Sequence, residues 1–333
     1  MKKIFAIVVI IALTAALAAC GNGADPAPPT GDGPTQIRVA SIFAGPVNDG
    51  SFNETQLNGL RRMEARGAHV AYAENIGDTD AAEAMRAFAA EGYDVIVLST
   101  NAYQDLVFPL TGDFPDTRFV QFNGTQMTDN FFSLRVQNEE LGFLAGVVAA
   151  LSTETGMVGF VGGQEITPIL AGSWGFQQGV DYVNEHFGRD VTAVRINTGN
   201  FLDANQAKET AISMIESGVD VLVPLADAAG NGVIEAAEER GKMAVGTGPG
   251  HARNAPNTVI ATIVRDNAYV YDSIWSWIES GNWPTEIIPH GAAAGVIYAE
   301  NWLAGTDAEI IELTELVLSR MISGEIYVDR NHP

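Results

Sequence analysis

The chain has 333 residues, 47% of them apolar, with a formal net charge of −23 and a single cysteine. So acidic a surface repels phosphate backbones and anionic headgroups, which excludes nucleic acid and charge-driven membrane binding. One cysteine excludes a disulfide framework and a cysteine-based metal site.

In chain order, Lys2 and Lys3 precede an apolar run, residues 4–19, that closes on Leu17-Ala18-Ala19 before Cys20. That run is shorter than the roughly 20 residues a bilayer span needs. It reads as a signal peptide, residues 1–19, ending in a lipobox with Cys20 as the lipidation site. The expected tether is then the lipid, and a stable one needs more than one acyl chain. Residues 20–36 are rich in Pro and Gly and nearly free of large apolar side chains, so they read as a flexible linker.

From residue 37 onward, short apolar runs alternate with amphipathic stretches, the pattern of β-α-β units and a mainly parallel sheet. The pattern predicts strands at 37–43, 69–74, 95–99, 118–122, 157–161, 191–196, 221–225, 243–246 and 259–264. Helices are predicted at 54–66, 80–91, 139–152, 169–187, 204–217, 231–240, 267–280 and 308–323. Ala81, Glu83, Gly92, Asp94, Val95 and Val97 recur 126 residues later as Ala207, Glu209, Gly218, Asp220, Val221 and Val223. Each set is a helix, a glycine stop and an aspartate opening a buried strand, so two similar lobes are expected.

In open parallel sheets ligands bind beyond the carboxyl ends of the strands. The first such segment holds Asn48, Asp49, Phe52 and Asn53; Ser51 or Asn53 can cap the helix behind it, while Phe52 offers a ring to a ligand. The third strand is followed by Asn101 and by Asp105, which also fits as a first-turn acid. The fourth delivers Asn123. In the second half the strand ends are Gly162, then a polar loop carrying Phe201 with Asp203 as a candidate helix cap, then Asp227, then Thr247-Gly248. Phe52 and Phe201 facing each other would sandwich a planar ligand.

Catalytic patterns are thin. His69, His186, His251, His290 and His332 lack helical pair spacing, and the chain has neither a Gly-x-Ser-x-Gly elbow nor a Gly-Lys-Ser/Thr phosphate loop. Gly246-Thr247-Gly248-Pro249-Gly250 reads as a turn rather than a dinucleotide loop. The reading is a binder with no catalytic residue, no metal and no cofactor.

The lipobox, Asn48-Asp49-Gly50-Ser51-Phe52-Asn53, Asn138-Glu139-Glu140-Leu141-Gly142-Phe143-Leu144-Ala145-Gly146 and Gly156-Met157-Val158-Gly159-Phe160-Val161-Gly162-Gly163 together resemble the basic membrane protein family of substrate-binding lipoproteins, which includes the purine nucleoside receptor type. The resemblance runs from about residue 37 to 326. It implies an α/β, type I periplasmic-binding-protein fold: two doubly wound parallel-sheet lobes joined by hinge strands. We expect 37–137 plus about 259–282 in the first lobe and 138–258 plus about 283–328 in the second.

The implied function is a lipid-anchored, extracytoplasmic solute receptor feeding the permease of an ABC importer. The implied ligand is a purine nucleoside or related compound, its base between Phe52 and Phe201 and its polar edges met by Asn48, Asp49 and Asp105. Ribose-gripping members usually carry an acid where this chain has Thr247-Gly248-Pro249, and tend to carry a lysine where it has Arg265. Arginine presents a planar fork instead of a point donor. The ligand therefore stays open at this stage. Alternative readings are a ligand sensor reporting to a membrane receptor and an extracytoplasmic α/β enzyme.

Overall fold

The computed structural model describes residues 36–331. The signal peptide, Cys20, nearly all of the linker and His332 lie outside the described residues. Among the described residues no helix is long and apolar enough to cross a membrane.

The first half runs β1 (Arg38–Ile42), α1 (Phe52–Ala65), β2 (His69–Ala73), α2 (Ala81–Ala90), β3 (Val95–Leu98), α3 (Gln104–Val107), β4 (Arg118–Phe122) and β5 (Phe131–Val136). The second runs α4 (Asn138–Ser152), β6 (Met157–Gly162), α5 (Thr167–Phe187), β7 (Thr192–Asn197), α6 (Ala204–Glu216), β8 (Val221–Leu225), α7 (Gly230–Glu239), β9 (Met243–Gly246), α8 (Pro249–Asn254) and β10 (Val259–Arg265). The chain finishes with α9 (Asn267–Ser280), β11 (Ile288–His290), β12 (Ile297–Glu300) and α10 (Ala308–Ile322). The central strands β3 and β8 are apolar and buried throughout, as strands covered by helices on both faces must be.

The two sheets are built alike. One has the order β11-β5-β4-β3-β1-β2 and the other β12-β10-β9-β8-β6-β7. All pairs in the first are parallel; in the second only β12 runs antiparallel, to β10. The echoed aspartates do the same work in each lobe. Asp94 accepts the Arg38 backbone N–H at 2.7 Å, tying the opening of β3 to that of β1. Asp220 accepts the Glu154 and Thr155 N–H groups at 2.7 and 2.9 Å, holding the loop that leads into β6. Gly92 and Gly218, ahead of them, take φ of +79° and +113°, where a side chain would be strained.

The expected lobe boundary needs correction at the return of the chain. Residues 259–265, expected in the first lobe, form β10 in the second sheet; β11, expected in the second, pairs with β5 in the first. Helix α9 does belong with the first lobe: Tyr271 packs on Gly59 of α1 and its hydroxyl lies 3.0 Å from Ser41 Oγ. The chain thus crosses between lobes three times, at 136–138, 265–267 and 290–297. The crossings are tied together. Gln137 N–H donates to His290 O at 2.9 Å, and Asp266 N–H to Val296 O at 2.9 Å.

Helices α4 and α5 meet backbone to backbone. Residues 141–151 of α4 are all buried, which explains a helix apolar on every face. A Cβ at Gly142 would collide with the Gly172 carbonyl, one at Gly146 with the Phe176 carbonyl and one at Gly175 with the Glu139 carbonyl.

Candidate functional site

A cavity of about 510 Å³ opens between the lobes, lined by segments that follow β1, β2, β3 and β4 on one side and β6, β7 and β8 on the other. Strands β1 and β3, and β6 and β8, flank the points where strand order reverses, where open α/β sheets bind ligands. The lobes also touch beside it. Gly250 N–H donates to Gly50 O at 2.8 Å, Asn231 Nδ2 donates to Asp49 O at 3.1 Å, and Arg253 Nη2 pairs with Glu54 at 3.2 Å.

Of the residues singled out from sequence, Phe52, Asn53, Asn101, Asn123, Phe201, Asp203, Asp227 and Arg265 line this cavity. Asn48 and Asp105 do not: both are exposed, and Asp105 sits in the first turn of α3, where the helix dipole suits an acid. Gly162 closes β6, where its carbonyl accepts from Thr198 N–H at 2.9 Å.

Asp49 is buried and turned to the start of α1. Its Oδ1 accepts from the N–H groups of Ser51 and Glu54, at 2.8 and 3.0 Å; its Oδ2 accepts from the backbone and side-chain N–H of Asn53, both at 2.9 Å. Asp49, not Ser51 or Asn53, caps this helix. The bond to a carboxylate also fixes the Asn53 amide, because only its NH₂ can donate. Asn53 Oδ1 is left without a protein partner at the cavity wall, as is Asn101 Oδ1.

Phe52 begins α1, with its ring edge-on to Phe122 at 6.4 Å. The Arg265 guanidinium stands 4.4 Å from the Phe52 ring centre. Arg265 is 6% exposed, donates from Nη1 to Asn138 Oδ1 at 2.7 Å and leaves Nε unpartnered. Burial lowers its pKa against the opposing pull of Asp227 and Asp49. Across the cavity Phe201 lies against Gly163, and its carbonyl accepts from Ala229 N–H at 2.9 Å. Asp203 caps α6 through Gln206 N–H at 3.0 Å, the role its position suggested.

Two residues on the cavity wall carry left-handed backbone, Asn123 at φ +54° and Asp227 at φ +48°. Such conformations cost free energy and collect at binding sites. Burial, with the charge of Asp49, pushes the Asp227 carboxyl up to about 7, against the opposing pull of Arg265. The native state then holds a proton that the unfolded chain releases above its ordinary value of 3.8, so this group lowers stability as pH rises from about 4 to 7. Asp227→Asn is expected to flatten that slope, raising the melting temperature relative to wild type more at pH 8 than at pH 4.5. An equal change at both pH values would contradict it.

Several wall residues escaped the sequence reading. Ile76 and Asp78 follow β2, a strand end that was passed over although the same rule points to it. Pro168 and Ile169 belong to the first turn of α5, and their helical periodicity gave no sign of a cavity. The segment read as a turn after β9 contains α8, whose Pro249 occupies a first-turn position, where a missing N–H costs nothing. Its His251 is buried; Nδ1 accepts from Thr247 N–H at 3.1 Å, and burial lowers its pKa to about 4, which keeps the ring neutral.

Comparison with known proteins agrees with this architecture. A purine-binding protein of Brucella abortus is 25% identical over 297 residues, 87% of this chain and 82% of that protein. A CD4+ T-cell-stimulating antigen of Listeria monocytogenes is 31% identical over 248 residues, 71% of this chain and 68% of that protein. A solute-binding protein of an ABC transporter system from Aeropyrum pernix superposes with a TM-score of 0.79 at 23% identity, covering 89% of this chain and 94% of that one, which speaks to fold. Residues 36–330 match the Bmp family, described as ABC transporter substrate-binding protein PnrA-like, and the chain belongs to that family of solute-binding proteins.

Proposed function

We propose that this protein is a lipid-anchored, extracytoplasmic receptor, tethered through Cys20, that closes its two lobes on a purine base or nucleoside and passes it to the permease of an ABC importer. One observation carries the reading: Phe52 and Phe201, from opposite lobes, line a single cavity whose wall also bears unpartnered polar atoms on Asn53, Asn101 and Arg265. Aromatic rings supply the flat faces a base stacks on, and the unpaired amide and guanidinium atoms supply acceptors and a donor for its edge. The name of the Brucella relative supports the purine class. The place where a ribose-gripping acid is usual is filled here by Gly248, against Gly50 and Ser51 of the other lobe.

Calorimetric titration of the wild type and Phe52→Ala with adenine, hypoxanthine, guanine and their nucleosides tests the proposal. The wild type is expected to saturate with at least one of them. Loss of one stacking face, about 0.5–1.5 kcal/mol, weakens that binding roughly 2- to 13-fold in the variant. A wild type that binds none of them, or a variant of unchanged affinity, overturns the assignment.

A further inference from the structure

Arg265 and Asn138 stand on two of the three crossings between the lobes and are bonded to each other. Asn138 opens α4 immediately after β5 and is 1% exposed. Both ends of its amide are committed. Oδ1 accepts from Arg265 Nη1 at 2.7 Å, and Nδ2 donates to Val136 O, the last carbonyl of β5, at 3.0 Å. A guanidinium only donates and a carbonyl only accepts, so this orientation is the one the partners allow.

Arg265 carries the tether onward to the cavity. It ends β10, and its guanidinium covers the Phe52 ring. Two residues on, Asn267 Nδ2 donates to Thr55 Oγ1 at 2.8 Å, so the same crossing also grips the first turn of α1. Among the described residues Arg265 belongs to no ion pair. Its hydrogen bond to Asn138, its place on Phe52 and the longer-range pull of Asp227 and Asp49 together orient it. A cation held over one face of a ring fixes where the ring can present the other.

We infer that Asn138 is a positioning residue that acts through Arg265 to set the Phe52 ring and to tie occupation of the cavity to closure of the lobes. The part concerning occupation rests on the purine reading; the part concerning closure does not. Opening the lobes changes the backbone at the crossings, and Asn138 spans the end of β5 and the end of β10. Closure then brings the Arg265–Phe52 pair into register with the cavity as one step.

The test is a double-mutant cycle on the full chain, with hypoxanthine and adenosine as probes, joined to amide exchange of the ligand-free protein. Asn138→Ala is expected to weaken binding of whichever probe the wild type takes by about tenfold. In a Phe52→Leu background the same change is expected to cost less than twofold, because the ring it sets is gone. Asn138→Asp keeps the acceptor for Arg265 but loses the donor to Val136 O and sets two oxygens against each other there, so it too is expected to weaken binding and to quicken Gly250 exchange. The Gly250 N–H, bonded across the cleft to Gly50 O, reports closure without ligand. Its exchange should quicken in Asn138→Ala while amides of β3 stay protected.

Additive losses in the cycle, or Gly250 exchange unchanged in Asn138→Ala, overturn the inference. If Asn138→Ala does not fold, Asn138→Ser in the same cycle replaces it. If the wild type binds neither probe, whichever purine saturates it in calorimetry replaces them; if none does, the purine reading fails by itself, and Gly250 exchange still decides the tether.

Discussion

Gly250→Ala is expected to change the melting temperature of the ligand-free protein little, because it shifts the lobes toward the open arrangement without unfolding either, while weakening ligand binding by roughly 5- to 150-fold. The reason is that the nearest atoms to a Cβ at Gly250 all belong to the other lobe: Gly50 Cα at 2.5 Å, its carbonyl oxygen at 2.8 Å and its carbonyl carbon at 3.0 Å. Gly248 faces the same segment, with Gly50 O at 2.5 Å and Ser51 Cα at 2.6 Å. Gly50 itself has φ +72°, so a substitution there is strained as well. When the lobes part, the obstruction disappears, and alanine is favoured over glycine within a helix by up to about 1 kcal/mol. When they close, a methyl group must push two backbones apart, at about 1–3 kcal/mol for overpacking. At about 1.4 kcal/mol per tenfold, that range gives the stated loss of affinity. Scattering measurements should show the variant failing to contract on addition of ligand. Normal contraction and wild-type affinity would mean that the glycine contact takes no part in the bound state.

Gly142→Ala is expected to act on stability instead. Helix propensity alone favours alanine in α4 by about 1 kcal/mol. Against this, the added methyl meets the carbonyl, carbonyl carbon and Cα of Gly172 in α5, backbone atoms that cannot rotate away. Overpacking of roughly 3 kcal/mol dominates, and the net loss of about 2 kcal/mol lowers the melting temperature by about 4–8 °C for a chain of this size. The sign is the decisive readout in thermal denaturation. A stabilised variant would show propensity prevailing and the two helices standing further apart.

Those glycines show both the reach and the limit of the sequence. The alternation of apolar runs and amphipathic stretches located nine strands, because burial on both faces imposes a continuous apolar signature on the central ones, while the edge strands β2 and β7 are only partly covered. Three strands were missed. β11 has three residues including Pro289 and β12 is a four-residue edge strand, both too short to impose a period; β5 has six residues but runs straight into α4, which hides its boundary. The lobe boundary failed for a related reason: hydrophobic pattern says that 259–264 is a strand but not which sheet it joins.

At the site, the strand-end rule reached Phe52, Asn53, Asn101, Asn123, Phe201, Asp203 and Asp227, because topology places those loops together, and the family resemblance pointed to Arg265. It also selected Asn48, Asp49 and Asp105, since a loop acid that caps a helix and one that meets a ligand look the same in sequence. Asp49 illustrates the difficulty: its two oxygens accept four N–H donors at the start of α1, and only the fold shows them occupied. The Arg265–Asn138 bond joins residues 127 positions apart and left no local trace.

The central claim is that two lobes close over one planar purine. Mass spectrometry of the small molecules released when freshly purified protein is denatured tests it most directly. The account predicts a purine base or nucleoside approaching one molecule per chain, and loss of most of it from Phe52→Ala. Release of a sugar or an amino acid at that stoichiometry, with no purine, would contradict it.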